Sequence, residues 1–146
     1  MKPVALEELF AGLEALVRQE AAQERVEVAW APEGLTVRAD GALLRRALLN
    51  LVINALKACA PGGRVTVSAQ RGARGVYIAV EDDGVGIAPE DLEKVSSPYF
   101  SRFESGTGLG LSIVDQVARA HGWRLEIASE PGRGTRVTLG PADPGS

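Results

Sequence analysis

The chain has 146 residues, 45% of them hydrophobic and 24% charged, enough for one buried core and close to ordinary soluble usage, which excludes disorder and fibrous repeats. Lys+Arg 16 against Asp+Glu 19 gives a formal charge of -3, so no general basic surface is available and no nucleic acid partner is expected. A single cysteine, Cys59, rules out an internal disulfide, and no run of about 20 apolar residues offers a membrane span, so the chain reads as a cytoplasmic domain.

From Val4 to Gln23, apolar residues at Leu6, Leu9, Phe10, Leu13, Leu16 and Val17 follow the helical period and predict an amphipathic helix. Val26 to Ala31 and Leu35 to Ala39 alternate around Pro32-Glu33-Gly34 and predict a short hairpin. Asp40 is a suitable N-cap for a long helix from Gly41 to Cys59, stopped by Pro61-Gly62-Gly63. Arg64 to Gln70 and Gly75 to Glu81 predict two antiparallel strands. Asp83 to Gly110 is glycine-rich with helical character only at Glu90 to Val95, and a loop that long points to function. Helix returns from Leu109 to His121, strands follow at Arg124 to Ala128 and Thr135 to Leu139, and Pro141 to Ser146 is expected to fray. Three main helices covering one face of a mixed, mostly antiparallel sheet make a two-layer α/β sandwich in a single domain spanning 1–146.

The long helix carries an unusual line of residues. Advancing 100° per residue from Asn50 places Arg46, Asn54 and Lys57 within about 40° of the line through it, amid leucine, valine and alanine. A solvated face would explain such a stripe. Yet Asn50 and Asn54 are the only asparagines in the chain, and Leu43 and Ile53 flank them, which favours a half-covered groove.

Two further segments carry chemistry. Glu81-Asp82-Asp83-Gly84-Val85-Gly86-Ile87 follows a strand, where it is either a plain turn or a place where backbone approaches a ligand and a carboxylate accepts its donors. Gly106-Thr107-Gly108-Leu109-Gly110-Leu111 leads into a helix, and free amides at a helix start suit an anion such as phosphate. Its spacing fits neither the P-loop nor the dinucleotide fingerprint.

In this order the segments resemble the ATP-binding catalytic domain of sensor histidine kinases, of the wider GHKL superfamily with the Bergerat fold. Asn50 to Ala55 is similar to the N box, Asp82 to Gly86 to the G1 box, Pro98-Tyr99-Phe100 to the F box, Gly106 to Leu111 to the G2 box, and Ser129 to Thr135 to the closing strand motif. The resemblance implies ATP or ADP with Mg²⁺ as cofactors. It makes Asn54 the metal ligand with Asn50 assisting, Lys57 a phosphate neutraliser, and Asp82 the acceptor of the adenine amine with support from Thr135. Gly84, Gly86 and Ile87 would line the base, and residues 89–107 would form an ATP lid with Phe100 packing it and Arg102 reaching the phosphates. Gly106, Thr107, Gly108, Leu109, Gly110 and Leu111 would hold the phosphates themselves.

Where hydrolysing relatives place a glutamate, this chain has Asn50, which cannot act as a base, so transfer to a protein is expected over hydrolysis. The expected partners are a histidine-containing dimerisation domain and, downstream, a response regulator, with the isolated domain monomeric. The lone histidine, His121, resembles the family's helix-ending His-Gly and is expected to be structural, so the acceptor lies elsewhere. Alternative readings are a nucleotide-sensing module without transfer and an anti-sigma-factor serine kinase. Ala58 replaces an aromatic common beside the adenine, Phe103 a lid cation and Trp123 a glycine, while Cys59 is expected to be inert.

Overall fold

The structure is a computed structural model that describes residues 1–84, 109–130 and 133–141, with the side chains of 109–112 and 130 outside that description. Strand β1 (Lys2–Ala5) leads into helix α1 (Leu6–Glu24), followed by β2 (Glu27–Ala31), β3 (Thr36–Ala39) and helix α2 (Gly41–Ala58). Then come β4 (Arg64–Gly72), β5 (Gly75–Asp82), helix α3 (Leu109–Ala120), β6 (Trp123–Glu130) and β7 (Gly134–Pro141). The main sheet has the order β2-β4-β5-β7-β6, antiparallel except for the parallel pair β2 and β4, and β1 pairs with β3 in a separate two-stranded sheet. The two-layer α/β sandwich expected from the pattern is the fold observed.

The expected hairpin of the second and third strands is not formed. Both sides of the turn alternate as anticipated, but they bury their apolar residues against different neighbours. Trp30 of β2 packs on Phe10 of α1, ring centroids 5.7 Å apart, at the sheet edge beside β4. Val37 and Ala39 of β3 are buried in the core while their strand pairs with β1. The turn separates them through Glu33 and Gly34, both at positive φ, and the Leu35 carbonyl accepts the Leu6 N–H at 3.0 Å. The first helix consequently starts at Leu6 rather than Val4, because Pro3 and Val4 are drawn into β1. Period-2 alternation identifies a strand and its buried side without naming its partner.

Helix α2 fills the centre of the molecule. Asp40 caps it as expected, its carboxylate accepting the Leu43 N–H at 3.1 Å. Leu44, Leu48, Leu51, Val52 and Leu56 point into the core against Leu6, Phe10 and Leu13 of α1 and Val65, Val67, Ile78 and Leu139 of the sheet. Helix α3 adds Val114 and Val117 to the same core. Its end is tied to the start of α2 by His121, which accepts the Asp40 N–H at Nε2 (3.0 Å) and donates from Nδ1 to the Val117 carbonyl (2.7 Å). Trp123 stacks on that imidazole at 4.4 Å, so the departure from glycine at 123 is a packing change. The end of α3 beside the start of α2 makes the two helices antiparallel. Twelve residues back along α3 at about 1.5 Å each, Leu109 stands level with roughly residue 52 of α2.

Among the described residues no helix is long and apolar enough to cross a membrane.

Candidate nucleotide site

The register of the main sheet decides which acid faces the helices. Val67 pairs with Val80 and Val65 with Asp82, while Val137 and Thr135 stand opposite Val80 and Asp82 on the other side. Asp82 thus continues the inward row of Ile78 and Val80 to the strand end, and it is the one buried charged residue among those described, 9% exposed. Its Oδ1 accepts the Gly84 N–H at 2.8 Å, and the Thr135 N–H also donates to the carboxylate. Burial pushes the Asp82 pKa above its ordinary 3.8, the two backbone donors pull it down, and Asp83 and Glu81 add to the rise.

Asp83 has a different task. Its Oδ1 accepts the Arg64 N–H at 2.9 Å and the Cys59 thiol at 3.6 Å, locking the end of β5 to the start of β4. The thiol, buried and close to both carboxylates, has its pKa pushed up to about 11, which makes Cys59 unreactive, as expected.

Two glycines let three elements meet here. A Cβ on Gly84 would run into the Ala58 carbonyl at the end of α2, and one on Gly134 would run into the Asp82 carbonyl. Gly134 also has φ +115, which disfavours any side chain. The start of β7 therefore lies against the end of β5, and the end of β5 against the end of α2. Thr135 is further held through its hydroxyl, 2.9 Å from Ser129 Oγ, and Ser129 donates to the Gly134 carbonyl at 2.9 Å. Neither Ser129 nor Gly134 is marked by residue type or spacing; the closing strand motif is the signal that covers them. A cleft of about 500 Å³ opens beside these strand ends, lined by Asp82, Asp83, Ser129 and Thr135 together with the outward cross-strand row of Thr66, Glu81, Arg136 and Ala128, so it lies toward the sheet face away from α2, which supplies none of its described walls.

The stripe on α2 reaches the same corner by its own helix. Asn50 and Asn54 are half-buried, Lys57 is exposed, and the Ala58 that abuts Gly84 lies one turn beyond Asn54. Leu43 and Ile53 flank the stripe half-buried against the core, so the amides stand neither in open water nor in the core. Among the described residues no buried side-chain nitrogen or oxygen lacks a hydrogen bond. No cluster of three or more His, Cys, Asp or Glu that could hold a metal occurs among them either. Two amide oxygens beside a stripe cation are donors for a hard ion that keeps waters and phosphate oxygens in its shell. The start of α3 at Leu109 matches the expected helix after the glycine run and lies level with Asn50 and Asn54.

The structure thus brings together Asp82, Gly84 and Thr135, and sets Asn50, Asn54 and Lys57 on the helix that ends against them. Leu109, Gly110 and Leu111 form the first turn of α3. Gly86, Ile87, Phe100, Arg102, Gly106, Thr107 and Gly108, the lid at 89–107, the helical stretch Glu90 to Val95, Phe103 and the tail from 142 lie outside the described residues.

Comparison with known proteins agrees with this geometry. Residues 39–144 match the family model described as Histidine kinase-, DNA gyrase B-, and HSP90-like ATPase. The sensor histidine kinase ZraS of Escherichia coli O157:H7 is 42% identical over 103 residues, covering 70% of this chain and 22% of that protein. The sensor-like histidine kinase SenX3 of Mycobacterium tuberculosis (strain ATCC 25618 / H37Rv) is 40% identical, covering 86% of this chain and 33% of that protein. The chain therefore spans a third or less of these relatives. The solved catalytic domain of histidine kinase ThkA superposes with a TM-score of 0.84 at 26% identity, covering 94% of this chain and 92% of that one. On these matches and this fold, the chain belongs to the histidine kinase-, DNA gyrase B- and HSP90-like ATPase family, as an ATP-binding domain of the sensor histidine kinase kind.

Proposed function

We propose that this chain is the catalytic domain of a two-component sensor histidine kinase, working in the cytoplasm. It binds ATP and transfers the terminal phosphoryl group to a histidine on a separate dimerisation domain, from which a response regulator is served. The observation that carries the reading is the corner where buried Asp82 and Thr135 meet the end of the helix bearing Asn50 and Asn54.

Asp82 recognises the base. An ionised carboxylate fixed by two backbone donors can still accept a hydrogen bond, which an exocyclic amine gives and a keto oxygen does not, so adenine is selected over guanine. With Ser129 donating to Gly134, the Thr135 hydroxyl gives its proton to Ser129 and faces the base as an acceptor too. Asn54 holds Mg²⁺ by its amide oxygen, with Asn50 assisting directly or through water, and Lys57 offsets phosphate charge one turn on. The ion, when bound, neutralises charge developing on the phosphate oxygens. Asn50 has no basic atom with which to activate water, so these residues position the nucleotide for a protein nucleophile. Gly86, Ile87, Phe100, Arg102 and Gly106 through Leu111 complete the site by resemblance alone.

Both nitrogens of His121 are engaged inside the fold, which supports an acceptor outside this chain. The test is to mix the chain with Mg²⁺-ATP and the histidine-containing dimerisation domain of the same kinase. An acid-labile, base-stable phosphoryl group on that domain is expected, absent with Asp82→Ala. Acid-stable phosphoserine, or tight ATP binding with no transfer, would contradict the kinase reading.

A further inference from the structure

Strand β6 is an outer strand of the main sheet. It pairs with β7 along its whole length, and among the described residues no strand pairs with its other side. Its eight residues keep an unbroken register with β7 from Trp123 to Glu130, with no bulge. They include no proline, glycine or lysine. Bulges, prolines and edge lysines are the usual means by which an outer strand is kept from pairing with another chain, and β6 has none of them. The opposite edge, β2, is five residues long and runs into Pro32.

The side chains of β6 alternate between two rows. Trp123, Leu125 and Ile127 belong to the inward row, yet at the rim of the core they are only half-buried. Arg124 and Glu126 belong to the outward row, with Arg124 Nε 3.3 Å from Glu126 Oε1. These two border an open cleft of about 380 Å³ on the outer face of the sheet, beside Arg136 and Thr138 of β7. An unpaired main-chain edge, a half-covered apolar row and a cation next to an anion thus share one strand.

We infer that β6 pairs with β6 of a second copy of this chain, antiparallel about a two-fold axis at Leu125. Register and charge select that partner. With Leu125 opposite Leu125, Trp123 stands opposite Ile127 and Arg124 opposite Glu126, each pair occurring twice by symmetry. Side chains so opposed lie about 5 Å apart at Cβ, so apolar meets apolar and each cation meets an anion. A slide of two residues sets Arg124 against Arg124 or Glu126 against Glu126, and a slide of one sets the apolar row against the charged row. The contact is small, which makes the association weak. It departs from the monomer expected of the isolated domain, and two copies held on one dimerisation domain would meet at a raised effective concentration.

Sedimentation equilibrium of the chain from about 10 µM to about 1 mM tests the pairing. Wild type is expected to move from monomer toward dimer across that range, and less so in high salt. Arg124→Glu and Glu126→Arg each set like charges opposite one another twice, and each should raise the dimer Kd at least about tenfold. Mixed in equal amounts, the two variants should associate with each other about as well as wild type does with itself. The Kd for ATP should stay within about twofold in both, because Arg124 and Glu126 lie outside the nucleotide site. Wild type that stays monomeric throughout overturns the inference. Single variants that dimerise like wild type, or a mixture that stays monomeric, overturn it by placing any association on another surface. The kinase reading stands or falls separately, on phosphoryl transfer.

Discussion

Asp82 and Asp83 are neighbours with opposite duties, and the difference comes from register. Asp82 ends the inward row of β5 and is buried; Asp83, one residue on, turns to the Arg64 amide and the Cys59 thiol. Burial raises the pKa of Asp82 above 3.8, so folding takes up a proton in the window between the unfolded and folded values. As pH rises through that window the ionised carboxylate costs stability, and the cost is complete above the folded value. Asp82→Asn removes the titration and keeps an oxygen for the Gly84 N–H. Its melting temperature at neutral pH is expected to equal or exceed that of wild type, the gap closing as pH falls toward 3.8, while ATP affinity drops at least about 100-fold. Thermal melts and calorimetry across pH check both halves. Wild-type affinity for ATP should itself weaken as pH falls through the raised pKa, because a protonated carboxyl gives up an acceptor, and Asp82→Asn should lose that dependence. The residues alone pointed to the Asp-Asp-Gly segment and to the two asparagines, which are conspicuous in so apolar a helix. They could not show the division of labour between the two acids, which depends on which strand lies alongside. Gly134 was hidden for the same reason: Arg-Gly-Thr reads as any turn until the Asp82 carbonyl lies where its side chain would go.

At the scale of elements, the helices and the β4–β5 and β6–β7 pairs were legible because each is defined by its own periodicity and turn. The partnership of β2 was not, since a parallel neighbour 37 residues away leaves no local trace; Glu27 stands beside Arg64. The tie between α3 and α2 is likewise non-local. His121 satisfies the N–H of Asp40, the N-cap of α2, and stacks on Trp123. His121→Ala leaves that amide and the Val117 carbonyl without their partner, and a loss of about 1–3 kcal/mol in unfolding free energy is expected by denaturant titration. Because both imidazole nitrogens are used, mapping of phosphohistidine after incubation with ATP should find none at His121. Gly134→Ala should cost about 2–4 kcal/mol, combining an unfavourable φ with a clash against Asp82.

At the scale of the molecule, one helix does two jobs. The buried side of α2 holds α1 and the sheet together through Leu44, Leu48, Val52 and Leu56, and Asn50 and Asn54 stand half-buried along its remaining side, on the helix whose end abuts the corner where β5 and β7 meet. In the proposed function, base recognition and metal binding rest on elements that meet where the Ala58 carbonyl abuts Gly84. In that proposal Asn54 and Asp82 act on the same nucleotide from the two sides of that contact. Calorimetric titration of ATP into wild type, Asn54→Ala and Asp82→Asn, each in Mg²⁺ and in EDTA, tests it most directly. Wild type should bind about tenfold or more tightly with Mg²⁺, Asn54→Ala should bind equally with and without the ion, and Asp82→Asn should bind at least about 100-fold more weakly than wild type under both conditions. Wild-type affinity and Mg²⁺ dependence retained in either variant would contradict it.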